Sequence, residues 1–210
     1  MKYIIMCGGT YQFPRHFTPI LGEPVIARTI RLLEENGVDD LYISTNDERF
    51  SQYAPILRHI NEFTVKNAEV ESGAWVNGFW PTTDPACYIF GDVVFSPEAI
   101  KTIVETQTKS IDFFASTPPF DWRFVKKWAE PFAFKVSDQK RFRAAIDFVI
   151  ANIDTGIFRR HPIAWELWQV INGKDVHLID YDSVIPINDY TCDIDEPEDA
   201  PRIEAMICKS

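Results

Sequence analysis

At 210 residues with a formal net charge of −10, the chain can bury a substantial single-domain core, and it is too acidic for a general nucleic-acid binder, whose phosphate partners attract basic surfaces. Hydrophobic residues at 46% and charged residues at 25% exclude a disordered chain. An anionic ligand would therefore need a local basic site inside an acidic protein.

Lys2-Tyr3-Ile4-Ile5-Met6 is a short apolar run stopped by Cys7-Gly8-Gly9-Thr10, the pattern of a buried strand entering an α/β sheet. Pro14-Arg15-His16-Phe17 and Thr18 to Pro24 follow. From Val25 the apolar residues at 25, 26, 30, 32 and 33 fall near helical spacing until Asn36-Gly37 ends the run. The glycines admit close approach of backbone N–H groups to an anion, and Arg15 can add a charge-assisted contact. This turn is either a nucleotide-phosphate site at the head of the sheet or an ordinary strand–turn–helix with a surface arginine. Asp40 to Asn46 reads as the next strand, which implies a parallel crossover. Residues 50–57 suit a short helix, 58–65 a strand or loop, and 72–80 a helix opened by Ser72 and closed by Pro81.

Ala86 to Phe95 is a nearly continuous apolar run, as in a central strand buried on both faces. Asp92 sits at its carboxyl end, where ligands of open α/β sheets bind, and a carboxylate there needs a partner, a cation or water. A turn aspartate is the alternative. Ser96-Pro97-Glu98 caps a helix over 97–106, and Ile111 to Ser116 is a strand ending at Thr117-Pro118-Pro119. Residues 120–130 carry Trp122, Arg123, Phe124, Lys126, Lys127 and Trp128. They read as an acceptor lid with lysines for phosphate, or as a solvated basic turn over packed aromatics. Pro131 to Val136 alternates as a strand, and Arg141 to Ile153 is helical.

Residues 162–171 form an amphipathic helix whose flanking His161 and internal Trp165 and Trp168 face the core or a partner subunit of a homodimer. His161 and Glu166 are further substrate-binding candidates. Val176 to Ile179 and Val184 to Ile187 are strand-like. In the closing segment Asn188 to Asp199, Asp193 and Asp195 share one side of an extended stretch ahead of a helix opened by Glu196-Pro197-Glu198. Asp195 can also cap that helix. The four cysteines at 7, 87, 192 and 208 show neither CxxC nor zinc spacing, as expected of buried residues in a reducing compartment. No apolar stretch reaches the roughly 18 residues of a membrane span, and Met1-Lys2 leads into a strand and not a signal peptide. A cytoplasmic protein without a membrane partner is expected.

Gly8-Gly9, Pro14-Arg15 and the Thr18 to Ile26 segment, followed by Gly91-Asp92-Val93 and the Asp193-Ile194-Asp195-Glu196-Pro197-Glu198-Asp199 ending, together resemble nucleotidyltransferases of the sugar-1-phosphate and cytidylyltransferase type. The loop Thr10-Tyr11-Gln12-Phe13 is shorter than in that family and lacks its Gly-x-Arg. The resemblance implies a three-layer α/β/α domain over 1–210 with a mainly parallel sheet. Its nucleotide-binding half would be about 1–106 and its acceptor-binding, metal-completing half about 107–210. It further implies that Cys7, Gly8, Gly9, Thr10 and Arg15 meet the nucleotide phosphates, and that Ser72 and Gly73 approach the base. Asp92 and Asp195 would hold Mg²⁺ on the nucleotide, and a lysine, Lys127 or Lys135 with Lys126 as the other choice, would stabilise charge on the α-phosphoryl group. The implied reaction joins a nucleoside triphosphate, CTP being favoured by the closing motif, to a small phosphorylated acceptor or sugar acid with release of pyrophosphate. Three alternatives stand beside it: a glycosyltransferase of the same fold, a nucleotide-binding descendant without turnover, and a structural subunit.

Overall fold

Alternation of side chains along the strands decides the layers. In the computed structural model of the chain, residues 1–8, 14–58, 75, 76 and 78–209 are described. The elements in order are β1 (Lys2–Met6), β2 (Pro19–Ile20), β3 (Glu23–Pro24), α1 (Val25–Glu35), β4 (Leu41–Ser44), β5 (Ile56–Leu57), β6 (Ala86–Phe90), β7 (Val93–Val94) and α2 (Pro97–Glu105). There follow β8 (Ile111–Ala115), β9 (Pro131–Val136), α3 (Gln139–Asn152), α4 (Ala164–Asn172), β10 (Ile185–Pro186), β11 (Cys192–Asp193) and α5 (Asp199–Ile207).

Seven strands form the central sheet in the order β10-β8-β9-β6-β1-β4-β5. All run parallel except β9, which is antiparallel to both β6 and β8. Ile4, Met6, Tyr88, Phe113 and Phe134 point to one face, where they meet Phe142 and Val149 of α3 and Trp165 and Trp168 of α4. Tyr3, Ile5, Ile43, Ile89 and Phe114 point to the other, against Ile26, Ile30 and Leu33 of α1 and Ile100 and Ile103 of α2. This is the period of two that a sheet covered on both sides imposes, and it makes three layers. A smaller core of Ile20, Val25, Val94, Cys192, Ile194 and Ile203 seats α5 and the short strand pairs beside the sheet.

Several expectations change in three dimensions. Residues 50–57 are not one helix: a 3-10 turn spans Glu48–Gln52, and Ile56–Leu57 forms the edge strand β5. The apolar run 86–95 is two strands, because the chain turns at Gly91-Asp92 and β7 leaves the main sheet. Val176 to Ile179 is a turn and not a strand. The expectations for 58–65 and 72–80 fall largely outside the described residues. The tryptophans of α4 are turned into the core, with Trp165 at 5.0 Å and Trp168 at 5.4 Å from the Phe113 ring. They offer no aromatic face to a partner subunit. Glu166 accepts the N–H of Ile163 and pairs with Arg160, so it caps its own helix. Among the described residues no helix is long and apolar enough to cross a membrane.

Lys135 is the clearest correction. It lies on β9 opposite Cys87 and is 4% exposed, and its ammonium donates 2.8 Å bonds to the carbonyls of Ile103, Val104 and Thr106 at the end of α2. There it satisfies the carbonyls that a helix C-terminus leaves over, at a sheet level far from Asp92. Lys135→Met should lower stability by about 2 kcal/mol, or roughly 5 °C in melting temperature, and leave any thermal shift with nucleotide unchanged. A loss of binding with an unchanged melt would contradict this assignment.

Candidate functional site

The site lies beyond the carboxyl ends of β1 and β6, which run side by side from Lys2–Ala86 to Met6–Phe90. Gly91 makes the turn there. Its N–H donates to the Met6 carbonyl at 3.0 Å, and a β-carbon at this position would lie 2.5 Å from Cys7 Sγ and 2.6 Å from Met6 O. No larger residue fits. The turn carries Asp92 out over the sheet edge and starts β7, which pairs antiparallel with β11, Val93 opposite Asp193 and Val94 opposite Cys192. Ile194 N–H closes the pairing on the Asp92 carbonyl at 2.8 Å. Two residues about a hundred positions apart in sequence are thus fixed in register.

Asp199 sets the next carboxylate. Its Oδ2 accepts the N–H groups of Asp195 and Glu196 at 2.9 and 3.1 Å, bracing the turn that leads into α5. The capping alternative for Asp195 is not realised: the N-cap of α5 is Glu198, without a side-chain cap hydrogen bond, and the Asp195 carboxylate faces across to Arg15. Arg15 Nη1 lies 3.0 Å from Asp195 Oδ1 and 3.5 Å from Asp92 Oδ2. On the other side, the Lys126 ammonium is 2.8 Å from Asp195 Oδ2, 3.3 Å from Glu130 and 3.6 Å from Asp199, and it also pairs with Asp193.

Five carboxylates thus surround two cations. Burial, and then the neighbouring Asp193 charge, raise the Asp92 carboxyl to about 6. The same two causes push Glu130 well above the ordinary carboxylate range. Burial alone would lower Lys126; the charges of Asp193 and Glu130 outweigh it and hold the ammonium above its usual range. The cluster is short of positive charge. Hard carboxylate oxygens are the donors magnesium prefers, and Arg15 already stands as a cation between Asp92 and Asp195, so these residues fit a divalent metal. A second group, Glu130, Cys192 and Asp193, brings its ligand atoms within 4.8 Å of one another. Lys126 occupies that corner, and burial pushes the Cys192 thiol up, away from its metal-binding thiolate form.

Neither a protein-family model nor a curated protein sequence matches the chain. Solved structures do. A protein assigned as glucose-1-phosphate thymidylyltransferase from Bacillus anthracis is similar over 98% of this chain and 94% of its own, with a TM-score of 0.57 at 16% identity. A 4-diphosphocytidyl-2C-methyl-D-erythritol synthase from Anaerococcus prevotii covers 99% and 97%, with a TM-score of 0.56 at 13% identity. A CMP:2-keto-3-deoxy-manno-octonic acid synthetase complexed with CTP covers 99% and 98%, with a TM-score of 0.54 at 10% identity. The chain has the nucleotidyltransferase fold.

On that fold, Arg15, Asp92 and Asp195 come together as the sequence suggests. Lys127 does not join them. Its ammonium turns back to the carbonyls of Asp121 and Phe124 in its own loop, and the neighbouring Lys126 enters the cluster instead. The N–H of Cys7 donates to Ser44 O at 2.9 Å and its buried thiol packs against Gly91, so both groups are engaged in holding the turn. Gly8 follows at the mouth, half-buried. Gly9, Thr10, Ser72 and Gly73 lie outside the described residues. In the 120–130 loop Phe124 is packed, while Trp122 and Trp128 are 70% and 57% exposed, and Lys126 stands 5.7 Å from the Trp128 ring centre. The sequence gives no reason to choose Lys126 over Lys127, or to bring Glu130 in at all. Only the path of the loop selects them.

His16 packs behind Arg15, edge-on to Phe50 at 5.4 Å. Burial first, and then the Arg15 charge, lower its pKa to about 4. The unfolded chain protonates this histidine near 6.5 and the folded chain only near 4, so His16 costs stability as the pH falls between those values. Asp92 acts oppositely, since its raised folded pKa favours the native state on acidification. The His16 contribution is read by difference. Between pH 7.5 and 5, the melting temperature of His16→Gln should fall about 5 °C less than that of wild type. Parallel pH profiles would remove the claim that His16 is held neutral.

Proposed function

We propose that the protein is a magnesium-dependent nucleotidyltransferase that joins a nucleoside triphosphate, CTP before the others, to a small phosphorylated acceptor or sugar acid and releases pyrophosphate. One observation carries this reading. On a nucleotidyltransferase fold, Asp92 and Asp195 are held facing each other beyond the carboxyl ends of the central strands, with Arg15 and Lys126 between and beside them. The cytidylyl relatives by structure, and the Asp193 to Asp199 ending that resembles theirs, support CTP.

In this reaction an acceptor oxygen attacks the α-phosphorus in line. The new oxygen–phosphorus bond forms as the bond to the departing pyrophosphate breaks, and no protein nucleophile is needed. Catalysis then rests on positioning and on neutralising charge. Bound magnesium would shield the charge of the triphosphate, held by Asp92 and Asp195. Arg15 and Lys126 are anchored by those carboxylates at the edge of the space the phosphates would enter. As the charge balance shifts they can contact phosphate oxygens, Arg15 through its planar fork and Lys126 as a point charge. Gly91 keeps the turn close to β1, so that Asp92 stays at the strand end.

Melting with each nucleoside triphosphate, with and without Mg²⁺, tests the proposal. At about a hundred times its dissociation constant CTP should raise the melting temperature by roughly 5–10 °C. The shift should require Mg²⁺ and vanish in Asp92→Asn, and pyrophosphate release should follow with a phosphorylated acceptor. Stabilisation without turnover would favour the descendant that only binds, and stabilisation by a nucleotide sugar alone would favour the glycosyltransferase. Lys126→Met, which strips four carboxylates of their shared cation, should lose about 3 kcal/mol in the absence of metal. Mg²⁺ should restore part of that loss, and a variant as stable as wild type without Mg²⁺ would mean that the cluster does not depend on Lys126.

A further inference from the structure

Trp128 is a large apolar side chain left mostly exposed beside a cluster of charges. Its ring centre lies 5.7 Å from the Lys126 ammonium, which is itself 2.8 Å from Asp195 Oδ2. The ring therefore stands within about 8.5 Å of a carboxylate proposed to hold the metal. The backbone beneath it is pinned. Ser116, just after β8, donates its N–H to Glu130 O at 2.9 Å and accepts the Glu130 N–H on its hydroxyl at 2.8 Å. That hydroxyl also donates to Trp128 O at 3.4 Å, and Trp165 Nε1 donates to the intervening Ala129 carbonyl at 3.3 Å. An aromatic on a loose loop would have to be ordered by its ligand, whereas one carried on fixed backbone meets the ligand nearly ready-made.

The sheet order says which substrate it faces. Asp92 follows β6, whose neighbours are β1 on one side and β9 on the other. Gly8 and Arg15, the residues expected at the nucleotide phosphates, follow β1. Trp128 leads into β9, and because β9 is antiparallel its beginning lies at the same edge as the end of β6. The indole is thus across Asp92 from the phosphate turn. In the proposed reaction the attacking oxygen sits at the α-phosphorus and the rest of the acceptor extends away from it. A ring centre within about 8.5 Å of Asp195 is at the distance of that body.

The face of an indole is electron-rich and attracts the slightly positive C–H groups of a flat apolar surface. A closed sugar ring presents such groups together on one face. An open-chain polyol of the same carbon number has no fixed face, and it must give up torsional freedom to make one. We infer that Trp128 selects the acceptor by its shape. The inference rests on the nucleotidyltransferase reading above and narrows it: the acceptor is a sugar phosphate in closed-ring form, with its apolar face laid on the indole.

Tryptophan emission and pyrophosphate release, measured with CTP and Mg²⁺ present, test this with matched probes: ribose phosphate against ribitol phosphate, and glucose phosphate against sorbitol phosphate. At least one closed-ring probe should change the emission saturably and bind roughly fivefold to tenfold more tightly than its open-chain counterpart. Trp128→Leu should lose that preference and raise the KM for the closed-ring acceptor by the same factor, with kcat within about twofold of wild type. Trp122→Leu, at the other exposed tryptophan of the loop, should keep the preference. Trp128→Leu should also melt within about 2 °C of wild type and retain the thermal shift with CTP and Mg²⁺, which sets a folding defect apart. No such shift in wild type would overturn the nucleotidyltransferase reading, and this inference with it. A normal shift without any closed-ring preference, or with a preference that survives in Trp128→Leu, would overturn the role of Trp128 alone. So would an emission change with CTP by itself that Trp128→Leu abolishes, since the indole would then be a platform for the base.

Discussion

The hydrogen bond from Ile194 N–H to the Asp92 carbonyl is the contact on which the site depends. It closes the short β7–β11 pair and fixes the register between the segment that follows β6 and a segment near residue 194. A slip of one residue in that pairing would turn Asp193 and Asp195 to the other side of their strand and separate them from Asp92. The pairing exists only because the chain can turn sharply at Gly91, where the Met6 backbone and the Cys7 sulfur leave no room for a side chain. The geometry of a bare glycine thus reaches the chemistry through two steps, the turn and then the register.

That register has an electrostatic cost, and the arrangement of cations answers it. One guanidinium nitrogen touches both Asp92 and Asp195 at 3.5 and 3.0 Å, so their carboxylates lie within about 6.5 Å of one another. At an effective dielectric of 20, two like charges at ~6 Å repel by about 3 kcal/mol. Arg15 and Lys126 offset this repulsion for Asp92, Asp193 and Asp195, yet Asp92 and Glu130 remain hard to ionise. A cluster built in this way is ordered but under-neutralised. Positively charged ligands gain from entering it, and a polyphosphate arriving with its own cation finds two basic side chains already in place.

Lys126 and Lys127 show where sequence reading stops. They are adjacent, equally basic and set in the same aromatic loop, yet one is buried among four carboxylates and the other bends onto its own backbone. Lys135 looked suited to phosphate by its place on a strand. It instead serves the end of α2, because β9 runs antiparallel and places it low on the sheet. The apolar run 86–95 could not show its own break, since a Gly-Asp step fits a continuous strand as well as a turn.

By itself the sequence determined most of the strand and helix types, the order that yields a mainly parallel sheet, and Arg15, Asp92 and Asp195 as residues worth bringing together. These follow from period, from glycine and proline placement and from local charge, which act over a few residues. Tertiary structure alone decided which lysine enters the cluster, that Asp195 turns to Arg15 and caps no helix, and that the Cys7 thiol packs against the Gly91 turn. It also decided that the aromatic face of α4 is spent on the core. Each of these depends on contacts between residues far apart in the chain, where the direction of a strand or the path of a loop sets which atoms meet.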